Sequence, residues 1–250
     1  MDNLIYKEVT GSTNDDAVKL AIKGAPHGFG VLAATQSAGK GRLGKQWLSP
    51  TGTGLYCSTI LRPKLPFIEF SKITLTAGLA LCKCLEQQVP GVDFGLKWPN
   101  DLYSEQKKCA GILVESSTPG SDDLDSFVVV GFGVNVNTSV MQFSEELRER
   151  AVSLKILSGI QFDIQNLYRQ IHQSLLEHLV IQETFGFKTI LEEWRLRDIL
   201  LGKEMQWVTS ERTLVRGIGL GPDDSGQLLV EDSSGRVHEI LSGDVQLAEI

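Results

Sequence analysis

The sequence has few of the residues that build metal sites, disulfides and membrane spans. It contains four cysteines and four histidines in 250 residues, and no two cysteines have the C-x-x-C spacing. A zinc site or a redox-active dithiol is therefore not predicted, and buried reduced thiols are the better interpretation. No uncharged apolar run approaches the ~20 residues that a membrane helix needs. The sequence therefore predicts a protein that does not enter a membrane.

A basic excess and a leader are also missing. The formal net charge of −7 argues against general binding to nucleic acid or to an anionic membrane surface. Residues 1–6 lack a basic start followed by an apolar core, so we expect no signal peptide and a cytoplasmic location. A Rossmann dinucleotide enzyme is excluded, because neither glycine-rich run has the G-x-G-x-x-G spacing at a strand-to-helix turn.

What the sequence does contain is a loop in which glycines alternate with cations. Residues 38–47 read AGKGRLGKQW. Glycines allow close backbone approach, and consecutive N–H groups can hold an anion. Lys40, Arg42 and Lys45 add charge that suits carboxylate or phosphate oxygens, and Trp47 offers a flat face that can stack on a base. The pattern predicts a loop that closes over an anionic, nucleotide-like ligand, although a solvated surface loop has a similar composition.

Apolar periodicity predicts alternating helices and strands over the first 200 residues. A first helix starts at Ser12 or Thr13, either of which can be its N-cap. Further helices are predicted at about 68–88, 144–157, 164–184 and 189–199, and strands at 31–34, 55–61, 92–97, 109–115 and 127–137. From about residue 202 short β-like runs predict a small barrel; they cover 205–209, 214–218, 227–230, 237–241 and 245–247.

Two strands carry small or polar residues where an apolar side chain is usual. Gly111 interrupts the strand at 109–115, and a glycine inside a strand often marks close approach by a ligand or another backbone. Gly131, Gly133 and Asn135 recur every second residue and share one face of the strand at 127–137. That face is a candidate floor for a site, although a tightly packed helix would also favour glycines there.

Taken in this order, the motifs resemble one family, the biotin–protein ligases, also called biotin–[acetyl-CoA-carboxylase] ligases. The matching pieces are Ser12-Thr13-Asn14, Gln36 with residues 39–47, the KWPND block at 97–101, residues 108–115 and residues 131–137. The resemblance covers essentially the whole chain. It implies an α+β fold with a mixed or antiparallel central sheet flanked by helices, like that of class II aminoacyl-tRNA synthetases. It also implies a catalytic domain over 1–200 and an SH3-like β-barrel over 201–250.

The resemblance implies a two-step reaction that uses ATP and biotin as substrates, with Mg²⁺ expected to accompany ATP. The biotin carboxylate attacks the α-phosphate to give biotinyl-5′-AMP and pyrophosphate. A lysine of a biotin carboxyl carrier protein then attacks this anhydride, and AMP leaves. Two anions meet in the first step, so cations are needed to offset their repulsion.

The resemblance also assigns residues to roles, and no residue is named as a metal ligand. The catalytic group is Arg42, Lys108, Asp101 and Lys97, with Asp101 as base or orienting group in the second step. The biotin-binding group is Ser12, Thr13, Asn14, Gln36, Gly39, Lys40, Gly41, Arg42, Lys108, Gly111, Gly131 and Gly133. The nucleotide-binding group is Lys45, Trp47, Asn100 and Asn135. Asp101 has a purely structural alternative as a turn residue.

Four further expectations follow from the comparison with the family pattern. Lys40 and Lys45 stand where arginine is usual, so weaker retention of the intermediate is expected. Because residues 12–14 lie so near the start, we expect no helix-turn-helix domain and no operator binding. A homodimer is expected through the central sheet, with 127–136 as an exposed edge. The loop at 39–47 is expected to be mobile when empty and to become ordered over the ligand.

Two other functions remain open at this point. A lipoate or octanoyl protein ligase has a related catalytic domain, but the 97–101 block and the 39–47 loop favour biotin. A non-catalytic biotin or nucleotide sensor would use the same scaffold. Such a binder does not need Arg42, Lys97, Asp101 and Lys108 together, so their joint presence favours an enzyme.

Overall fold

The computed structural model describes residues 3–117, 126–208, 214–240 and 245–247. Two sheets and six α-helices form the described fold, which also contains short 3₁₀ segments at 42–44 and 67–72. The larger sheet contains β1 (Leu4–Thr10), β2 (Phe29–Gln36), β3 (Gly54–Leu61), β4 (Gly95–Lys97), β5 (Asp101–Ser104), β6 (Lys107–Ser117) and β7 (Phe127–Asn135). The helices are α1 (Thr13–Ile22), α2 (Ile73–Gln88), α3 (Glu145–Arg148), α4 (Leu154–Ser158), α5 (Ile164–Phe185) and α6 (Phe187–Arg195).

The larger sheet is mixed, in the order β1-β2-β3-β7-β6-β5-β4. Strands β1 and β2 run parallel, and every other neighbouring pair is antiparallel. Helices flank the sheet, so the predicted α+β class with a mixed central sheet is confirmed. Neither β1 nor β5 was predicted. The edges of the sheet are β1 and β4.

The predicted exposed edge at 127–136 is wrong. Strand β7 pairs with β3 on one side and β6 on the other, and Val128, Val129 and Val130 are fully buried. A run of β-branched residues indicates a strand covered on both faces. That pattern reports burial and does not reveal the strand's position within the sheet.

The two faces of the sheet carry different layers. Helices α2 and α5 cover one face, where Val130, Phe132 and Val134 join the main core. Helix α1 packs on the other face against Ile60, Phe127 and Val129. Farther along this second face β7 presents Gly131, Gly133 and Asn135, as the alternation predicts. These small residues leave a space beside α1.

Several predicted elements are shorter or divided. The helix predicted at 144–157 is two short helices, because Lys108 N donates to Arg150 O at 2.8 Å and Val152 N donates to Lys108 O at 3.0 Å. This bridge to β6 pulls the chain out of helical geometry between α3 and α4. The helix predicted at 68–88 is a 3₁₀ segment followed by α2, and the strand predicted at 92–97 is only β4. Helix α6 ends at Arg195, before the predicted 199.

A smaller sheet follows α6. It contains β8 (Glu204–Val208), β9 (Leu214–Pro222), β10 (Leu228–Asp232), β11 (Val237–Ile240) and β12 (Val245–Leu247), in the order β11-β10-β9-β8-β12. The prediction of a small C-terminal β domain is thereby confirmed. The predicted strand ends at Thr209 and Leu241 lie outside the described residues.

The two sheets share contacts and a core. The indole Nε1 of Trp98 donates to Gly226 O at 2.9 Å, and Arg195 Nε donates to Pro222 O at 3.0 Å. Met205 and Leu228 of the smaller sheet belong to the same hydrophobic cluster as α2. The turn between β9 and β10 therefore rests directly against the KWPND block.

The four thiols are Cys57, Cys82, Cys84 and Cys109, and all are free and buried. Burial raises the pKa of each thiol, to about 12 at Cys109 and about 11 at Cys84. The sequence-based prediction of buried reduced thiols is confirmed. Within the described part of the chain, no helix combines the length and the apolar character that crossing a membrane requires.

Candidate active site

One cavity of about 640 Å³ lies on the α1 face of the larger sheet, within the size range of small-molecule sites. It brings together residues from segments that are far apart in the sequence, from Ser12 to Ala151. All of the predicted site residues except Gly39 line it; they are Ser12, Thr13, Asn14, Gln36, Lys40, Gly41, Arg42, Lys45, Trp47, Lys97, Asn100, Asp101, Lys108, Gly111, Gly131, Gly133 and Asn135.

The closed end of the cavity is a hydrogen-bonded polar cluster at the start of α1. Gln36 Oε1 accepts from Thr13 N at 2.8 Å, and Gln36 Nε2 donates to Ser49 Oγ at 2.9 Å. Ser12 is the N-cap residue by position, but its side chain makes no capping hydrogen bond. The capping role proposed for its hydroxyl is therefore not observed. The buried Ser12 hydroxyl belongs to the cavity lining instead.

Asn14 forms the second part of this cluster. Its Nδ2 donates to Glu115 Oε2 at 2.8 Å and to Leu113 O at 3.3 Å, while its Oδ1 accepts from Ser58 Oγ at 2.6 Å. A Cβ on Gly131 would overlap Asn14 Oδ1. The glycine at 131 therefore makes room for the Asn14 amide.

The glycine-rich segment folds into a small hairpin over this end. Gly41 N donates to Lys45 O at 2.7 Å, and Trp47 N donates to Gly39 O at 2.9 Å. A 3₁₀ turn at Arg42–Gly44 joins the two arms, with Leu43 at φ 55°. Gly39 lies beneath the hairpin, where a Cβ would overlap Trp47 O. This backbone contact explains the glycine at 39.

Lys40 is paired within the protein. Its ammonium contacts the Asp15 carboxylate in the first turn of α1, and this hydrogen bond raises the pKa of Lys40. The pair links the glycine-rich hairpin to α1 across the mouth of the polar end.

Trp47 lies on the floor of the cavity. Gly111 and Gly133 face each other across β6 and β7. A Cβ on Gly111 would come within 3.1 Å of the Trp47 ring, and one on Gly133 would overlap it. The Lys108 ammonium sits 5.5 Å from the ring centroid on the same indole, an arrangement typical of a cation–π contact. The two glycines therefore form a bare backbone platform for the indole.

Charged and amide groups line the opposite wall. Lys108 Nζ lies 2.6 Å from Asp101 Oδ1, and Arg42 Nη1 donates to Asn100 Oδ1 at 3.3 Å. Lys97 Nζ lies 5.4 Å from the centroid of the Tyr103 ring. The turn between β4 and β5 thus brings a carboxylate, an amide and a cation to the end of β6. This wall is suited to an anionic ligand.

The two asparagines of the nucleotide-binding prediction also hold the backbone. Asn100 Nδ2 donates to Ile112 O at 2.8 Å, and Asn135 Nδ2 donates to Lys108 O and Val152 O at 3.3 and 3.2 Å. Both side chains line the cavity, so an anchoring role coexists with access to a ligand.

Sequence reasoning missed one whole wall of the cavity. Residues 142–151 contribute Gln142, Phe143 and Arg150 to the lining. The sequence predicts a packing helix from 144 onward, and long-range hydrogen bonds such as those between Lys108 and the backbone of Arg150 and Val152 hold the segment over the site. Tyr56 was also missed; its hydroxyl donates to Pro50 O at 3.0 Å, and burial raises its pKa to about 12.

Ser58 and Glu115, which hold Asn14, were not singled out either. The available signal for Ser58 was a serine within the apolar strand sequence LYCSTIL, because a hydroxyl buried in a strand needs a hydrogen-bond partner. Among the described residues no group of three or more His, Cys, Asp or Glu side chains is arranged to hold a metal ion.

Comparison with known proteins places this geometry in context. A bifunctional ligase/repressor BirA of Bacillus subtilis is 35% identical over 245 residues, which cover 98% of this chain and 74% of that protein. A biotin–[acetyl-CoA-carboxylase] ligase of Mycobacterium tuberculosis is 32% identical, over 94% of this chain and 85% of that protein. Both matches span the segments that form the cavity.

A solved structure resembles the whole chain. The biotin protein ligase of Aquifex aeolicus in complex with biotin and ATP superimposes with a TM-score of 0.83 at 30% identity, covering 100% of both chains. The family described as the biotin/lipoate A/B protein ligases matches residues 6–135, from β1 to the end of β7. The chain belongs to the biotin/lipoate A/B protein ligase family.

Proposed function

We propose that this protein is an ATP-dependent biotin–protein ligase. It activates biotin as biotinyl-5′-AMP with release of pyrophosphate, and then transfers biotin to a lysine of a biotin carboxyl carrier protein with release of AMP. The observation that carries the proposal is the single cavity in which the polar cluster, the glycine-rich hairpin, the KWPND block and Lys108 meet. The names of the relatives and the ligands of the Aquifex aeolicus structure support it.

The closed end of the cavity takes the ureido head of biotin in this proposal. Hydroxyl and amide groups there match the N–H and C=O groups of a ureido ring. The proposed biotin-binding residues are Ser12, Thr13, Asn14, Gln36, Gly39, Lys40, Gly41, Arg42, Lys108, Gly111, Gly131 and Gly133. Lys40 acts mainly through its backbone and its pair with Asp15, since the ammonium already has a carboxylate partner.

The cations act on the reacting phosphate. Arg42 and Lys108 face the cavity from opposite elements, and Lys108 bridges the biotin carboxylate and the α-phosphate. Lys97 adds a further positive charge to the cavity lining. Positive charge held in place before the reaction lowers the cost of bringing two anions together, and it stabilises the charge on the transferring phosphorus.

The nucleotide lies beside the indole of Trp47. The adenine stacks on Trp47, while Lys45, Asn100 and Asn135 supply polar contacts. Mg²⁺ would accompany ATP and would supply positive charge at the phosphates, beside Arg42 and Lys108 of the cavity lining.

Asp101 serves the second step. Its carboxylate is 2.6 Å from Lys108, so it lies next to the group that we place on the anhydride. In this position it orients the incoming lysine amine and accepts its proton.

Several broader assignments belong to the same proposal. The catalytic domain extends over 1–200 with a class II synthetase-like sheet, and 201–250 is an SH3-like barrel. The protein works in the cytoplasm, and a homodimer joined through the larger sheet would use an edge strand, β1 or β4.

We propose no operator binding for this chain, in line with its net charge of −7. Specific binding in a gel shift at physiological salt would refute this.

Transfer of labelled biotin to a purified carrier domain tests the function directly. Pyrophosphate release with biotin and with lipoate, measured side by side, separates the two ligase classes within the family. We expect release and transfer with biotin. Release with lipoate alone would identify a lipoate ligase, and biotin binding without release would identify a sensor.

A further inference from the structure

The orientation of the Asn14 amide is fixed by two acceptors. Leu113 O and Glu115 Oε2 lie 3.3 and 2.8 Å from the same atom of that amide. A carbonyl and an ionised carboxylate can only accept, so this atom is Nδ2 and its two hydrogens are both used. Asn14 Oδ1 consequently faces Ser58. Glu115 provides the shorter contact and the charged one.

Ser58 transmits this orientation to Thr13. Its Oγ lies 2.6 Å from Asn14 Oδ1 and 2.8 Å from Thr13 Oγ1, and its side chain is fully buried. The hydroxyl has one proton, and the amide oxygen can only accept, so Ser58 donates to Asn14. The 2.8 Å contact between the two hydroxyls then needs the proton of Thr13, so Thr13 Oγ1 donates to Ser58 Oγ, while Gln36 Oε1 accepts from Thr13 N.

This donation turns the Thr13 proton into the protein and leaves only lone pairs of Thr13 Oγ1 toward the cavity. We propose that Glu115 is a positioning residue which, through Asn14 and Ser58, makes Thr13 an obligatory acceptor and so selects a ligand whose head carries N–H donors. The inference rests on the proposed function, in which a ureido ring occupies this end. An apolar dithiolane or alkyl head has no donor to offer.

Glu115 also lies near Lys40 and raises its pKa through charge. Two variants separate this charge effect from the hydrogen bond. Glu115→Met removes both, whereas Glu115→Gln removes the charge and keeps an oxygen that accepts from Asn14. We expect Glu115→Met to raise the KM for biotin about tenfold, with kcat and the KM for ATP nearly unchanged, the size expected for one lost hydrogen bond to a charged group. Glu115→Gln should recover most of the affinity.

Ser58→Ala provides a second route that leaves Glu115 in place. It should raise the KM for biotin by a similar factor. The double variant Glu115→Met, Ser58→Ala should have a KM for biotin no higher than that of the more affected single variant, because both changes interrupt the same chain of hydrogen bonds. Glu86→Met is the control, since it removes a half-buried carboxylate paired with Arg197 outside the cavity. It should lower stability without changing the KM for biotin.

The measurements are biotin-dependent pyrophosphate release and calorimetric binding of biotin, with thermal melting to verify folding. An unchanged KM in Glu115→Met or Ser58→Ala, equal weakening in Glu115→Gln and Glu115→Met, or additive effects in the double variant would overturn the inference. Wild-type protein that neither binds nor activates biotin would instead overturn the proposed function. The two failures are therefore distinguishable.

Discussion

Trp47 and the two glycines beneath it form a close fit at the floor of the cavity. The backbone of Gly111 and Gly133 carries the indole, and Trp47 Nε1 makes no hydrogen bond within the described part of the chain. A side chain at either glycine has to displace the ring. The position of the indole therefore depends on the absence of two methyl groups.

Gly133→Ala tests this fit. Its Cβ would overlap the Trp47 ring, so we expect the KM for ATP to rise about tenfold and stability to fall by about 1–3 kcal/mol, as in other overpacked sites. Pyrophosphate release against ATP concentration and denaturant unfolding measure the two effects. Gly11→Ala is the control, because a Cβ there has open space. Unchanged ATP kinetics in Gly133→Ala would contradict the stacking role.

Lys108 contacts both Trp47 and Asp101 through its ammonium group. Lys108→Met should slow biotinyl-5′-AMP formation by about 10²–10³, the usual cost of removing one group that stabilises transition-state charge. Lys107→Met is a matched control on the same strand, since Lys107 Nζ donates to Arg148 O outside the reacting wall. Single-turnover pyrophosphate release measures both. Similar rates in the two variants would refute the assignment of Lys108.

Asp198 makes stability depend on pH. Its Oδ1 accepts from Leu200 N at 2.8 Å, and burial raises its pKa from 3.8 to about 6. Because the folded state holds the proton more tightly than the unfolded state, the stabilisation by this group is complete below about pH 4 and is lost as pH rises through 6. At neutral pH the buried negative charge of Asp198 lowers the free energy of unfolding.

Asp198→Asn keeps an oxygen for Leu200 N and removes that charge. We expect it to raise the free energy of unfolding relative to wild type by about 1–3 kcal/mol more at pH 7.5 than at pH 4. Urea unfolding at the two pH values measures the difference, with exposed Asp224→Asn as the control. An equal increase in the free energy of unfolding at both pH values would show that ionisation of Asp198 is not the source of the effect.

At the scale of elements, the turn between β9 and β10 supports the KWPND block. The hydrogen bond from Trp98 Nε1 to Gly226 O is made by a buried indole and lies immediately before Pro99, Asn100 and Asp101. The smaller sheet therefore takes part in positioning the cavity wall, although none of its described residues lines the cavity.

Trp98→Phe removes the donor and keeps an aromatic ring. We expect a loss of about 1–2 kcal/mol in the free energy of unfolding, together with a higher KM for ATP, because the turn that carries Asn100 loses its support. Trp194→Phe is the control: it trims a fully buried indole in the core outside the cavity. If both variants lose stability but neither changes the KM, the turn does not depend on the smaller sheet.

Local sequence patterns correctly predicted those elements whose residues show a clear periodicity or turn signal. The alternation of Gly131, Gly133 and Asn135 with valine and phenylalanine marks β7 correctly, and the turn at 97–101 is visible from proline and asparagine. Long-range contacts were not visible. The bridge from Lys108 to Arg150 that divides the helix predicted at 144–157 joins residues far apart in sequence, and the order of strands in the sheet is a tertiary property.

The same distinction applies to the site. The glycine-rich loop was found because its residue types suit anion binding, whereas most other site residues were found through the resemblance to the ligase family; nearly all of them line one cavity. Ser58 and Glu115 were missed, since a lone serine or glutamate in a strand has many ordinary explanations. Their role follows from the atoms of Asn14 that they contact, which only the folded structure shows.

At the scale of the whole molecule, one hydrophobic cluster extends from α2 to Met205, Trp207 and Leu228 in the smaller sheet. A division at residue 200 therefore separates two sheets that share a core. Contacts of this kind couple the unfolding of the parts they join.

We expect the protein to unfold in a single cooperative transition. Tryptophan fluorescence reports on both sheets, because Trp194 lies in the larger unit and Trp207 in the smaller one. Its denaturant curve should coincide with that of far-UV circular dichroism. Two separate midpoints would show that the smaller sheet is energetically independent.

The burial of all four thiols also determines how the chain can be labelled. A thiol in the core with a raised pKa reacts slowly with alkylating reagents, so a cysteine introduced on the surface would be modified first. Leu43, 66% exposed at the tip of the glycine-rich hairpin, is a suitable place. A dye or spin label on Leu43→Cys would test whether the hairpin changes its position when biotin and ATP are added, with the four native cysteines kept in the core.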